Sequence, residues 1–127
     1  MTNIQYITTD KAPLPFGHYS QATVHNNTVY VAGQLGLFPD NLDYIGSIEE
    51  QTEQALNNVR EVLLAAGSDL NHLLTVTIFV TDPNSCGQVN STYAKILGSH
   101  RPARAMITAA ALPRGCHVEI VATAAVK

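Results

Sequence analysis

Two adjoining stretches decide the fold: Ser47–Gly67, SIEEQTEQALNNVREVLLAAG, and Leu73–Val80, LLTVTIFV. Ser47 and Glu50 have the spacing of a capping box, in which side chain and backbone satisfy each other at a helix start. Glu49 adds negative charge to the first turn, where the helix dipole favours it. Apolar residues then recur at Ala55, Leu56, Val59, Val62, Leu63 and Ala66, all on one helical face. Gly67 is a natural C-terminal stop. The run that follows is rich in β-branched residues and reads as a buried strand.

Downstream, Asp82-Pro83 can cap and open a second helix. Its inward face is Val89, Tyr93 and Ile96 or Leu97, and Gly98 ends it. Met106–Ala111 and Cys116–Val126 read as two further strands, separated by Leu112-Pro113-Arg114-Gly115. Upstream, Gln21–His25 and Thr28–Ala32 flank Asn26-Asn27, an asparagine pair that tolerates the positive φ of a tight hairpin turn. Asn3–Thr8 alternates weakly, as an edge strand would. Lys11–His18, with Pro13, Pro15 and Gly17, reads as a loop, and so does Gly33–Gly46. The order β-β-β-α-β-α-β-β predicts an α+β two-layer sandwich, a mixed sheet with both helices on one face. VEIVATAAV at Val118–Val126 is apolar on both faces, more than a half-exposed strand needs. The bare face of the sheet therefore calls for a partner, and the simplest is another copy of the chain.

Composition agrees. The chain has 127 residues, the size of a single domain spanning 1–127. It is 46% apolar and only 13% charged, against roughly 25% charged in an average soluble domain. A net charge of −3 without any basic run argues against nucleic acid as the main partner. No apolar run approaches the ~20 residues of a membrane span. Neither a signal peptide nor a disulfide framework is legible, with Cys86 and Cys116 the only cysteines. A reducing, cytoplasmic location is expected, or a mitochondrial one if a presequence has been trimmed. The histidines His18, His25, His72, His100 and His117 lack ligand spacing, so no metal is expected.

The chemistry gathers between Arg101 and Glu119. Arg104 stands among Pro102, Ala103, Ala105, Met106 and Ile107, and the pattern places it just ahead of a strand. A guanidinium in apolar surroundings needs an anion, and its planar fork matches a carboxylate. Two readings are open: a clamp for a ligand carboxylate, or an internal ion pair with Glu119. Glu119, between Val118 and Ile120, belongs either at a surface rim or in a site where burial raises its pKa and it handles a water proton. Tyr19 is a ligand-facing hydroxyl or a packed loop aromatic. Gly33 permits close backbone approach. Asn90 and Tyr93 share a helical face; Tyr93 reads as core, and Asn90 as a group that holds a loop.

Taken together, YSQA at Tyr19–Ala22, VAGQLG at Val31–Gly36, QALNNVREVLLAAG at Gln54–Gly67, TIFVTD at Thr77–Asp82, VN-x-x-Y at Val89–Tyr93, PAR at Pro102–Arg104, ALP at Ala111–Pro113 and VEI at Val118–Ile120 form a signature. The chain resembles the Rid family, the RidA/YjgF-like proteins, from Pro15 to Ala124. The resemblance implies a chorismate-mutase-like fold and a homotrimer whose sheets form a central barrel, with sites in clefts between subunits. It also implies cofactor-independent hydrolysis of reactive 2-imino and enamine acids, such as 2-aminoacrylate and 2-iminobutanoate, to 2-keto acids and ammonia. Position by position, Arg104 matches the carboxylate-binding arginine, Glu119 the water-positioning glutamate, and Tyr19 the loop tyrosine over the ligand. Gly33 matches a backbone contact and Asn90 an asparagine near the cleft. Met106 stands where some members have a cysteine and contributes its backbone carbonyl. Ala32 replaces a usual serine and His18 a usual proline. Some related proteins are described as translation inhibitors, chaperone-like proteins or ligand sensors, so a non-enzymatic trimeric module that binds a carboxylate is the alternative.

Overall fold

A computed structural model describes residues 3–127. The strands are β1 (Gln5–Ile7), β2 (Ala22–His25), β3 (Thr28–Leu35), β4 (Leu73–Val80), β5 (Ala103–Thr108) and β6 (Val118–Ala125); the helices are α1 (Ile48–Ala65) and α2 (Cys86–Leu97). One six-stranded sheet has the order β1-β2-β3-β6-β4-β5. All pairings are antiparallel except β4 with β5, the pair joined through α2. The mixed α+β sheet is therefore as expected. Among the described residues no helix is long and apolar enough to cross a membrane.

Local chemistry explains the elements. The Ser47 hydroxyl accepts from the Glu50 amide, and the Glu50 carboxylate accepts from the Ser47 amide, each at 3.1 Å. At the other end Gly67 has φ +82, the left-handed geometry that terminates helices. Asn26 and Asn27 have φ 49 and 63, as the two-residue hairpin between β2 and β3 requires. The Asp82 side chain accepts from the Asn84 amide and opens a 3₁₀ turn, Pro83–Ser85, that leads into α2. Val89, Tyr93 and Leu97 are the buried face of α2, and Gly98 follows it.

The core lies between the helices and one face of the sheet. Val29, Val76, Ile78, Val118 and Ile120 meet Leu56, Val59 and Leu63 there, all of them 2% exposed or less. The other sheet face carries no helix, and Tyr30, Ile107 and Val121 stand exposed on the sheet. A smaller cluster of Leu35, Leu37 and Cys116 closes the end near the site.

Several boundaries, and the burial of β4, differ from the sequence reading. β1 is confined to Gln5–Ile7, narrower than Asn3–Thr8. β3 does not stop at Ala32: it runs on to Leu35, with a register shift between Val31 and Gln34. Gly33 there marks a bulge, not a loop. β4 is half-buried, since Leu74 is 47% exposed. β5 begins at Ala103 and ends at Thr108, so Arg104 lies in a strand rather than ahead of it. β6 begins at Val118, which leaves Cys116 buried before the strand and not within it. In the last two, Pro102, Pro113 and Gly115 mask the alternation of the residues beside them.

The loop after β3 depends on Gly36. A Cβ there would lie 2.5 Å from the Gln51 Cα and closer still to its carbonyl oxygen. Both obstacles are backbone, so α1 itself must shift. Gly36→Ala is expected to destabilise the fold by about 1–3 kcal/mol, the usual cost of overpacking; urea denaturation checks this.

Candidate active site

Buried amides on α1 fix the strands that bear the site. Asn58 donates to the carbonyls of Leu35 (3.0 Å) and Leu37 (2.8 Å), holding the exit of β3. Gln51 donates to Gly46 (2.8 Å) and accepts from the His117 amide (2.8 Å), holding the entrance of β6 two residues before Glu119. Gln21, 1% exposed, does the same for the loop ahead of β2. It accepts from the Thr9 amide and donates to the carbonyls of Thr9 and Pro13.

These supports frame a cavity of about 410 Å³ lined by Tyr19, Ala32, Gly33, Glu119, Phe16 and Pro113, among others. Tyr19 is 46% exposed and not part of the core. Its hydroxyl accepts from the Phe16 amide at 3.0 Å, which leaves the phenolic proton free to point elsewhere. Gly33 faces Glu119 so closely that a Cβ would stand 2.6 Å from Oε2 and 3.0 Å from Cδ. Burial pushes the Glu119 pKa above the ordinary carboxylate value. No ion pair among the described residues relieves it. A half-buried carboxylate without a cation is more basic than usual, as a water-activating group needs to be.

Gly33→Ala follows as a local test. The clashing atoms are the far end of a flexible side chain, so the fold should tolerate the methyl with a stability change below about 1 kcal/mol. The carboxylate must swing away, however, and turnover should fall at least tenfold, because small misplacements of reacting groups are costly. Thermal melting beside a rate measurement separates the two effects.

Arg104 belongs to a different hollow, of about 340 Å³, together with Asn90, Tyr93, His100 and Arg101. Its Nη1 donates to Asn90 Oδ1 at 2.8 Å, and its Cζ lies 4.9 Å from the centre of the Tyr93 ring. The guanidinium is thus aimed from two sides while its remaining donors stay open. Tyr93, expected as core, is 7% exposed and also the surface on which Arg104 stacks. Its hydroxyl has no hydrogen-bond partner among the described residues, and burial pushes its pKa up. Met106 shares the strand; its side chain packs against the main core and not in either hollow.

Sheet register explains the separation. Arg104 is level with Val76, which is buried beneath the helices. Glu119 alternates with Val118 and Ile120, which are buried there too, so it points to the other face. The ion pair between Arg104 and Glu119, one of the two readings of the sequence, does not form. One chain thus brings together Tyr19, Gly33 and Glu119, and separately Arg104 and Asn90. Sequence reasoning missed Gln21 and the second role of Tyr93. The asparagine-to-tyrosine spacing of three on α2 held the signal for the latter. Among the described residues no group of three or more His, Cys, Asp or Glu could hold a metal ion.

Known proteins give the context. The family profile described as Endoribonuclease L-PSP matches residues 9–126. The 2-iminobutanoate/2-iminopropanoate deaminase of Mus musculus is 44% identical over 119 residues, which is 93% of this chain and 88% of that protein. The crystal structure of RidA from an Antarctic Psychrobacter species superposes with a TM-score of 0.93 at 38% identity, covering 96% of this chain and 99% of that one. That of Escherichia coli TdcF with bound serine has a TM-score of 0.92 at 28% identity, covering 97% and 99%. Matched from residue 9 to residue 126 and related nearly end to end to named Rid proteins, the chain belongs to the Endoribonuclease L-PSP family, the Rid family.

Proposed function

We propose that this protein hydrolyses 2-imino acids and their enamine tautomers to 2-keto acids and ammonia, in sites that two copies complete between them. The observation that carries the proposal is the division of the chemistry. A carboxylate-matching arginine and an unneutralised, half-buried glutamate lie in two hollows on opposite faces of one sheet. In a head-to-tail ring the Arg104 hollow of one chain meets the Glu119 cavity of the next, so that each supplies the other's missing half. Three chains arranged so, as a homotrimer around a barrel of sheets, cover the apolar faces of β6 and leave no unmatched half-site. The near full-length likeness to a named deaminase supports the reaction assigned.

In this scheme Arg104 takes the substrate carboxylate in two charge-assisted hydrogen bonds, with Asn90 and Tyr93 fixing its plane. Glu119 of the adjoining copy takes a proton from water as the oxygen adds to the imine carbon, with the imine nitrogen protonated. Tyr19 and the backbone at Gly33 bound the pocket, and Met106 contributes its carbonyl. Glu119 then returns that proton to the carbinolamine nitrogen; as the C–N bond breaks, the hydroxyl oxygen becomes the carbonyl and gives its proton to Glu119, which passes it to solvent as ammonia and the keto acid leave. Fixing both reactants supplies much of the acceleration, since bringing them together is the costly part of an otherwise facile reaction. The residues of the scheme require no cofactor. Unpaired Cys86 and Cys116 suit a reducing compartment, and we place the reaction in the cytoplasm.

The test is the disappearance of 2-iminobutanoate released in situ by a pyridoxal-dependent dehydratase. Keto acid should appear faster with the protein than without it; a rate equal to buffer alone overturns the enzyme reading. A relative with bound serine favours a second reading, a sensor of small carboxylates. A sensor keeps its response when Glu119 becomes glutamine, and a hydrolase does not. The net charge of −3 and the absence of a basic run count against RNA as substrate despite the family's description.

A further inference from the structure

Arg114 stands outside the scheme above, yet its geometry is unusual. It follows Pro113, which lines the Glu119 cavity, in a short 3₁₀ turn, Pro113–Gly115. Its backbone is left-handed, with φ 59 and ψ 22, a region that residues with a Cβ seldom occupy. Gly115 follows at φ +74. Two successive left-handed residues turn the chain back, and the arginine side chain reaches across to two other loops.

The guanidinium carbon lies 4.8 Å from the centre of the Phe16 ring, within cation–π range. Nη2 is also 3.5 Å from the Leu42 carbonyl and 3.7 Å from the Asp43 carboxylate. The first of those is a long hydrogen bond, and the Asp43 side chain is almost fully exposed, so both are weak. The stacking on Phe16 is the stronger contact. Phe16 in turn donates its amide to the Tyr19 hydroxyl. A continuous line therefore runs from the turn before β6, through Arg114 and Phe16, to the phenol of Tyr19, which lines the same cavity as Glu119.

We infer that Arg114 is a positioning residue for Tyr19: it latches the Lys11–His18 loop to the turn that leads into the Glu119 strand. The latch sets the width of the cavity mouth and the direction of the phenolic oxygen. The inference rests on the hydrolase reading of this cavity. A surface arginine with no such task gives a different expectation. Its replacement by glycine would relieve the left-handed backbone and change nothing else.

The experiment compares Arg114→Gly, Arg114→Lys, Phe16→Leu and the double variant Arg114→Gly/Phe16→Leu in the full-length protein. Arg114→Gly should melt no lower than the unaltered protein, because glycine suits that backbone. Its KM for 2-iminobutanoate should nevertheless rise about threefold to fivefold, the loss expected of an exposed cation–π contact, with kcat changed less. Lysine keeps the charge without the flat fork and should recover part of the loss. Phe16→Leu should match Arg114→Gly, and the double variant should be no worse than either alone, since both break one contact. Amide hydrogen exchange on the resting protein gives a readout free of turnover: peptides covering residues 11–20 should exchange faster in Arg114→Gly, and those of α1 should not. Unchanged KM with unchanged exchange overturns the latch, as do additive losses in the double variant. If the unaltered protein fails to hydrolyse the imine, the hydrolase reading falls, while the exchange result still decides whether the latch exists. Should Arg114→Gly fold poorly, Arg114→Lys and Phe16→Leu carry the same comparison.

Discussion

Replacing Glu119 with glutamine should lower kcat by about two to four orders of magnitude, the usual contribution of a positioned general base. Affinity for a small carboxylate should stay within a few-fold, because the clamp lies in the other hollow. Glutamine keeps the shape against Gly33 and removes only the basic oxygen. Stability gives a second signature. Burial raises the folded pKa of Glu119 above its unfolded value. Between those two values the native chain holds a proton that the unfolded chain has lost, so this group's contribution to stability falls as pH rises across the interval. Below the unfolded value the penalty is absent. The glutamine variant escapes it altogether and should melt no lower than the unaltered protein at neutral pH. In the unaltered protein kcat/KM should fall on the acid side with a midpoint above the ordinary carboxylate range, since only the deprotonated form accepts a proton from water. A melting curve and a pH–rate profile check both statements.

Arg104→Met should lower kcat/KM by about two to three orders of magnitude, since two hydrogen bonds to a charged group are lost at roughly 1.5–3 kcal/mol each and are only partly compensated by water. The side chain is exposed in the single chain, so the fold should survive. Arg104→Lys should recover little. An ammonium presents no fork to a carboxylate, and it cannot donate to Asn90 and stack flat on the Tyr93 ring while also gripping a ligand. Equilibrium binding of pyruvate, measured beside the rates, shows whether the loss lies in holding the carboxylate.

Much of the fold was legible because local chemistry and tertiary structure agree. Ser47 and Glu50 cap α1 as their spacing predicts, and the Asn26-Asn27 turn fixes the hairpin. The misread boundaries are places where punctuation and pattern conflict. Gly33 looks like the end of a strand, but β3 bulges past it, and a Cβ there would displace the Glu119 carboxylate. Pro102 hides the start of β5, although Arg104 and Met106 keep the two-residue period of one strand face.

The site was legible residue by residue through its resemblance to a family, but not in its arrangement. Whether Arg104 and Glu119 meet depends on β6 lying between β3 and β4, and no local signal encodes that order. From spacing alone an ion pair was as reasonable as a clamp. Register removes the ion pair by sending the two side chains to opposite faces. The polar residues that hold the site, Gln21, Gln51 and Asn58, are silent in sequence because their partners are backbone carbonyls and amides of distant loops.

The sharing of one site by two copies is the claim on which the rest depends, and subunit complementation tests it most directly. Arg104→Met and Glu119→Gln chains are each nearly inactive alone and are then co-expressed with distinguishable tags, and the mixed oligomers are purified. In a closed ring of three, every mixed trimer has about one site in three with both groups intact. Imine hydrolysis near a third of the unaltered rate is expected in the mixture. Mixed oligomers no more active than the two single variants would contradict it.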